Sequence, residues 1–262
     1  MQDNKYNNLD VLFCTHGSPM NIIANNDYTD MMNKISLRMG NPKVILVVSA
    51  HWVEDSFTAT SNTVLPLIYD FYGFTGRLYE QKYPALGYPD IAVKLQKDLG
   101  LKLCNDRGLD HGAWAVLQKL FPKANIPIVQ ISLSRKASLF EHYKFGKKLQ
   151  NARKNGAIII SSGNLTHNLY EAEGDGADVK LWALECENDI LEKIKDKNID
   201  ALCDPVGNIV NFKRAHPTME HYIPTMVALG AFYEDETIKI LKNKMQNGSI
   251  SMSCFANTEI LI

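Results

Sequence analysis

Val11-Leu12-Phe13-Cys14-Thr15-His16-Gly17-Ser18-Pro19-Met20 is an apolar run that stops at a histidine and passes at once into Gly, Ser and Pro. Such a run reads as a buried strand that delivers an imidazole to the carboxyl edge of a sheet, before a tight turn into a helix. The pattern returns at Val44-Ile45-Leu46-Val47-Val48-Ser49-Ala50-His51-Trp52, a strand ending in a histidine. It returns again at Ala157-Ile158-Ile159-Ile160-Ser161-Ser162-Gly163-Asn164-Leu165-Thr166-His167-Asn168, with the histidine a few residues past the strand. Three strands of one sheet thus aim imidazoles at one edge, the edge at which open α/β sheets bind ligands.

The rest of the chain supplies a scaffold for that convergence. Its 262 residues suffice for one large domain, and no repeat, low-complexity tract or linker divides them. We therefore expect residues 1–262 to form one α/β domain. Net charge is −1 with Lys and Arg spread along the chain, so no basic stripe for nucleic acid or an anionic membrane forms. No apolar run reaches the roughly 18–20 residues of a membrane span. The polar start Met1-Gln2-Asp3-Asn4-Lys5 lacks the apolar core of a signal peptide, which leads us to expect a cytoplasmic protein. Five cysteines, with no C-x-x-C pair, argue against a disulfide framework and against a cysteine zinc knuckle. Cys14, two residues before His16, shares a strand face with it and is expected either in the core or on the pocket wall.

In chain order, strands are expected over residues 10–15, 43–50, 126–133 and 157–161. Helices are expected over 21–39, 90–99, a short stretch ending near Phe121-Pro122, 138–154, 178–197 and 225–233. The 178–197 helix places Leu181, Leu184, Ile190, Leu191 and Ile194 on its apolar side. Residues 55–63 are polar and β-prone, and residues 249–255 alternate like an edge strand. Leu67-Ile68-Tyr69-Asp70-Phe71-Tyr72-Gly73-Phe74 has no period and reads as a loop over the pocket mouth. Trp52, Phe71, Tyr72, Phe74, Trp114 and Tyr222 are candidates for an aromatic wall around a flat ring.

Seven histidines are present. His142, mid-helix among Lys and Glu, is expected in solvent. The others (His16, His51, His111, His167, His216 and His221) lie in loops or at strand ends beside Gly, Pro, Ser or Asn, as a shared metal or catalytic site requires. Imidazole suits Zn, Fe, Cu and Ni; two His and a carboxylate suit non-haem Fe(II), and three His with a water suit zinc. Both readings stand on the residues alone. The chain has no H-E-x-x-H, no G-x-S-x-G and no Walker loop, and Ser18 has no nucleophile elbow.

Taken in order, Thr15-His16-Gly17-Ser18-Pro19, Ser49-Ala50-His51-Trp52, Tyr69-Asp70-Phe71-Tyr72-Gly73-Phe74, Leu109-Asp110-His111-Gly112-Ala113-Trp114, Ser162-Gly163-Asn164-Leu165-Thr166-His167-Asn168-Leu169 and His216-Pro217-Thr218-x-Glu220-His221 span nearly the whole chain. Together they resemble the 4,5-DOPA extradiol dioxygenase family, within the class III ring-cleavage dioxygenases. The resemblance implies a three-layer α/β/α sandwich with a mostly parallel central sheet and one divalent metal at its edge, Fe(II) for activity or Zn²⁺ as bound. His16 and His51 match the first two ligands and His221 the last. Glu220 is adjacent, but consecutive helical residues point about 100° apart. His167 matches the acid–base histidine, which also closes the metal shell in the resting protein. His111 matches a histidine beside the substrate oxygens; His216 stands between a structural role and one supporting the site. The implied partners are a catechol such as DOPA and O₂, with no nucleic acid and no membrane; self-association is compatible with this. A zinc-dependent hydrolase, or a non-catalytic metal-binding relative, would use the same pocket.

Overall fold

A computed structural model of the protein describes residues 10–257. Along the chain run β1 (Val11–Thr15), α1 (Asp27–Ser36), β2 (Val44–Glu54), β3 (Thr58–Thr60), α2 (Gly76–Tyr79), α3 (Pro89–Leu99), β4 (Lys102–Cys104), α4 (His111–Leu120), β5 (Ile128–Ser134) and α5 (Leu139–Lys154). They are followed by β6 (Ala157–Gly163), α6 (Leu181–Lys195), α7 (Ile199–Cys203), α8 (Pro205–Asn208), α9 (Phe212–Ala215), α10 (Ile223–Ala231), β7 (Lys239–Leu241) and β8 (Cys254–Ala256).

The eight strands form one sheet in the order β4-β3-β5-β2-β6-β1-β8-β7. Its centre, β5-β2-β6-β1, is parallel, and antiparallel pairings occur only towards the flanks. Side chains two apart on a strand share a face, so the near-continuous apolar runs feed two cores at once. Val11, Phe13, Val44, Leu46 and Ile159 join one cluster; Leu12, Ile45, Val47, Ile158 and Ile160 join the other. Helices α3, α5, α6 and α10 cover the first face, and α1 and α4 the second. This is the expected α/β sandwich. Among the described residues no helix is long and apolar enough to cross a membrane.

Several expectations are corrected. The helix expected over 21–39 is a 3₁₀ turn at Pro19–Ile22 followed by α1, because Asn26 caps α1 in a reciprocal box with Thr29 and forces a fresh start. Strand β2 does not end at His51 but runs to Glu54, with its pairing to β5 shifted between Val48 and Val53, so His51 sits in an irregular stretch. Strand β8 is not at an edge: it lies between β1 and β7, and the edges are β4 and β7. Of the polar 55–63 stretch only β3 is strand. On α6 the expected stripe holds at Ile190, Leu191 and Ile194, which are buried, but not in the first turn. There Leu181 is exposed while Trp182, Ala183 and Cys186 are buried.

His142 is also corrected. It is fully buried: its Nδ1–H donates to Ser138 O at 2.8 Å, and its Nε2 accepts the Ser134 N–H at 3.2 Å. Because both nitrogens are used in the neutral form, the ring is a strut between α5 and the end of β5. Cys14 lies in the second core, its thiol directed at Ser161 O, and not at the site.

Helices α5 and α10 meet glycine to glycine. A Cβ on Gly146 would fall 2.2 Å from Val227 O and 2.9 Å from Gly230 Cα; one on Gly230 would fall 2.0 Å from Tyr143 O. Gly146→Ala is therefore expected to destabilise the protein by about 1–3 kcal/mol through overpacking, read as a lower urea midpoint at unchanged slope. An unchanged midpoint would contradict this packing. His142 gives a second expectation. Burial lowers its pKa below the free imidazole value. The unfolded chain then binds the extra proton, so the contribution is intact above about pH 6.5 and is lost as pH falls towards the folded value. His142→Gln should make stability fall less steeply below that pH, and equal slopes in the two proteins would refute the assignment.

Candidate metal centre

The edge of the sheet gathers five imidazoles. His16 follows β1, His51 lies in the irregular stretch of β2, and His111 opens α4 behind its cap residue Asp110. His167 lies in the loop after β6, and His221 in the turn before α10. The ring centroids of His16 are 5.0 Å from His51, 5.2 Å from His221 and 5.6 Å from His111. His51 is 4.1 Å from His111 and 5.1 Å from His221. His167 stacks on His221 at 3.5 Å with rings 8° from parallel.

What these rings share is the use of Nδ1. The Ser162 hydroxyl donates to Gly112 O at 2.6 Å, so at 3.0 Å from His16 Nδ1 it can only accept, and the His16 proton sits on Nδ1. His51 Nδ1 and His111 Nδ1 donate to the two oxygens of Asp70, at 3.1 and 2.9 Å. His221 Nδ1 lies 3.3 Å from Glu220 Oε1. Each of the four is therefore anchored through Nδ1, and each holds Nε2 in reserve.

Those reserved nitrogens carry the evidence for a cation. His221 Nε2 is buried with no hydrogen-bond partner. His16 Nε2 and His51 Nε2 face each other at 3.2 Å, where two lone pairs would repel unless a proton or a cation stands between them. Burial disfavours a charge on His51, but the hydrogen bond to Asp70 and the charges of Asp110 and Asp70 outweigh it and raise its pKa. Burial first, then the neighbouring imidazoles, holds His16 and His221 well below the usual histidine value. One ligand atom from each of His16, His51 and His111 lies within 4.8 Å of the others, a spacing that could hold a metal ion. A donor set of clustered imidazole Nε2 atoms suits a borderline divalent ion such as Fe(II) or Zn²⁺.

A second ring of contacts fixes the first. Tyr28 donates its hydroxyl to Thr15 O, and Asn21 Nδ2 donates to His16 O at 3.2 Å. Arg107 donates to His51 O at 3.2 Å. The buried Asp110 carboxylate accepts from Ser49 Oγ at 2.6 Å, from Ala113 N at 3.1 Å and from Gln130 Nε2, clamping the start of α4. Gly112 is required here, since a Cβ would lie 2.8 Å from the His51 ring. Asp70, Asp110 and Ser162 are not singled out as site residues by sequence, and Glu220, weighed there as a ligand, instead faces His221 Nδ1. The carboxylate at Asp70, in a loop without period, gave the weakest signal.

His216 is not part of the cluster. Its Nε2–H donates to Leu165 O at 2.8 Å and its ring packs on Phe212 and Tyr222, which resolves its role as structural. Of the aromatic wall, Phe71 stands edge-on to His111 at 5.4 Å, backed by Phe74 and Trp114. Tyr222 instead belongs to the core, its hydroxyl donating to Leu202 O, and Tyr72 is exposed. Ser18 Oγ caps the 3₁₀ turn, as a serine with no elbow should.

The family model described as the catalytic LigB subunit of aromatic ring-opening dioxygenase matches residues 10–255. The chain belongs to the LigB family. Within it, this chain is 34% identical over 249 residues to the Escherichia coli K12 protein named 4,5-DOPA dioxygenase extradiol, with 92% of each chain covered. It is 33% identical to the Beta vulgaris protein of the same name, covering 95% of this chain and 96% of that one. The crystal structure of an uncharacterized protein from Escherichia coli K12 superposes with a TM-score of 0.79 at 29% identity, covering 94% of this chain and 99% of the other. The LigB match spans every histidine of the cluster.

The geometry predicts metal-linked stability. Zinc at about 100 times its dissociation constant should stabilise the protein by about 2.7 kcal/mol, and a chelator should reverse the gain. A melting temperature indifferent to both would show that the cluster holds no ion.

Proposed function

We propose that this protein is a metal-dependent extradiol dioxygenase that opens the ring of a catechol such as DOPA beside its hydroxyls, both atoms of O₂ entering the product. Membership of the LigB family and the names of the extradiol relatives support the reaction class. The observation that carries the site is the buried, partnerless Nε2 of His221 beside the opposed Nε2 atoms of His16 and His51. We assign the metal to His16, His51 and His221, with His167 closing its shell in the resting protein, and residues 1–262 to one catalytic domain. Fe(II) bound there supplies the one-electron exchange with O₂ that a closed-shell aromatic ring cannot make. Free thiols at all five cysteines suit a reducing cytoplasmic setting.

The chain's own residues provide the remaining chemistry. Burial, with the charge of His51 next, lowers the His167 pKa to about 4, so this ring is neutral and able to take a proton from a catechol hydroxyl and return it to the opened product. The His167 backbone N–H donates to Ala215 O at 3.0 Å, which anchors the ring's Cα while its face rests on His221. His111 holds its Nδ1–H on Asp70 and turns Nε2 towards the same space, where it can accept from a second substrate hydroxyl. Phe71, edge-on to His111, provides an apolar side for the ring and limits water.

The test is oxygen uptake by Fe(II)-loaded protein, prepared anaerobically and given a panel of catechols, with absorbance followed for a ring-opened product. Stoichiometric O₂ use with that product is expected. His167→Ala should lower kcat about 10²–10⁴-fold with little change in KM. His16→Ala, His51→Ala and His221→Ala should each lose the metal by elemental analysis, and His111→Ala should keep it. Turnover without oxygen would favour a zinc-dependent hydrolase, and no uptake from iron-loaded protein a non-catalytic relative.

A further inference from the structure

Among the described residues, Asp70 is the one carboxylate that touches two of the clustered imidazoles. Its Oδ2 lies 3.1 Å from His51 Nδ1, and its Oδ1 lies 2.9 Å from both His111 Nδ1 and the His111 backbone N–H. A carboxylate is an acceptor only, so both rings must carry their proton on Nδ1. Burial opposes its ionisation, yet the hydrogen bonds from His111 and His51 outweigh that and keep its carboxyl far below the usual range. Asp70 also belongs to the 67–74 loop, which is pinned on either side. Ile68 N–H donates to Leu109 O at 2.7 Å, Trp114 Nε1 donates to Ile68 O at 3.0 Å, and Phe71 stands against His111.

We propose that Asp70 is a positioning residue that sets two imidazoles together: one carboxylate fixes the tautomer of both His51 and His111, and joins the aromatic loop to the metal side of the site. The proposal rests on the metal reading above only in taking His51 as a ligand. Its chemical content lies in the number two. An amide of the same shape has one acceptor and one donor end. Asp70→Asn can accept one Nδ1–H, but it presents N–H₂ to the other ring, which must move its proton to Nε2 to accept. A ring so inverted has no lone pair left on the side that faces the cluster. Outer carboxylates of this kind change metal affinity by roughly 10- to 100-fold when removed.

Imidazole ¹⁵N shifts of the metal-free protein test this directly. Wild type is expected to show His51 and His111 both protonated on Nδ1, and Asp70→Asn to show one of them protonated on Nε2. In parallel, zinc affinity measured against a chromophoric chelator should fall roughly 10- to 100-fold in Asp70→Asn. Asp70→Glu, which keeps two acceptor oxygens, should restore both Nδ1 protons and part of the affinity, and it carries the test if the amide variant does not fold. Both rings still protonated on Nδ1 in Asp70→Asn would overturn the proposal, as would unchanged zinc affinity. A wild-type protein that binds no zinc would instead overturn the metal assignment and leave the proton positions to decide the role of Asp70.

Discussion

A neutral imidazole has one N–H and one lone pair, and the nitrogen that gives its proton to the protein leaves the other to whatever occupies the cavity. This constraint organises the whole edge of the sheet. Ser162 takes the proton of His16, Asp70 those of His51 and His111, and Glu220 faces that of His221. The acceptors come from elements far apart in sequence: β6, the 67–74 loop and the turn before α10. Four lone pairs can point into one space only if all these elements are held in place, and the parallel centre of the sheet does that. β1, β2 and β6 pair in register, so that Thr15 lies beside Gly163 and Ser49 beside Ser162, and the strand ends align.

The sequence revealed this edge because its cause is local. A both-faces-buried strand followed by a histidine and a turn can be read without knowing what lies next to it, and His16, His51 and His167 were found that way. The chain order of the motifs then resembled the 4,5-DOPA extradiol dioxygenase family. What could not be read depends on contacts between distant residues. Asp70 sits among aromatics with no period, and nothing in residues 67–74 says that its two oxygens meet residues 51 and 111. His142 looked solvated because its neighbours on α5 are charged. The acceptor for its Nδ1–H is one turn back at Ser138, and the donor to its Nε2 is on β5. His216 was ambiguous until Leu165 O was seen to take its proton.

The misread elements fail for physical reasons of the same kind. Residues 21–39 carry helical spacing throughout, but Asn26 offers its side chain to Thr29 N and ends the first turn where local hydrogen bonding competes with continuation. Residues 249–255 alternate as an edge strand would. Alternation reports only that one face differs from the other, and whether a further strand, β7, lies outside it depends on residues 239–241.

Unsatisfied buried polar atoms by themselves do not mark a site. Thr15 Oγ1, Thr225 Oγ1 and His216 Nδ1 are also buried without partners. Each such atom costs about 1–3 kcal/mol, and a fold of this size absorbs a few of them. His221 Nε2 differs in its company. It belongs to a ring about 5 Å, centroid to centroid, from two others whose Nε2 atoms already oppose each other, so three lone pairs gather in one space. A proton relieves one pair and no more. A divalent cation accepts several lone pairs at once and would relieve all three. The orphaned atom and the opposed pair are therefore one observation, made at the place where the sheet delivers its histidines. Local stability rules tend to be broken at functional sites, and here the breach falls where the clustered imidazoles could hold a divalent cation.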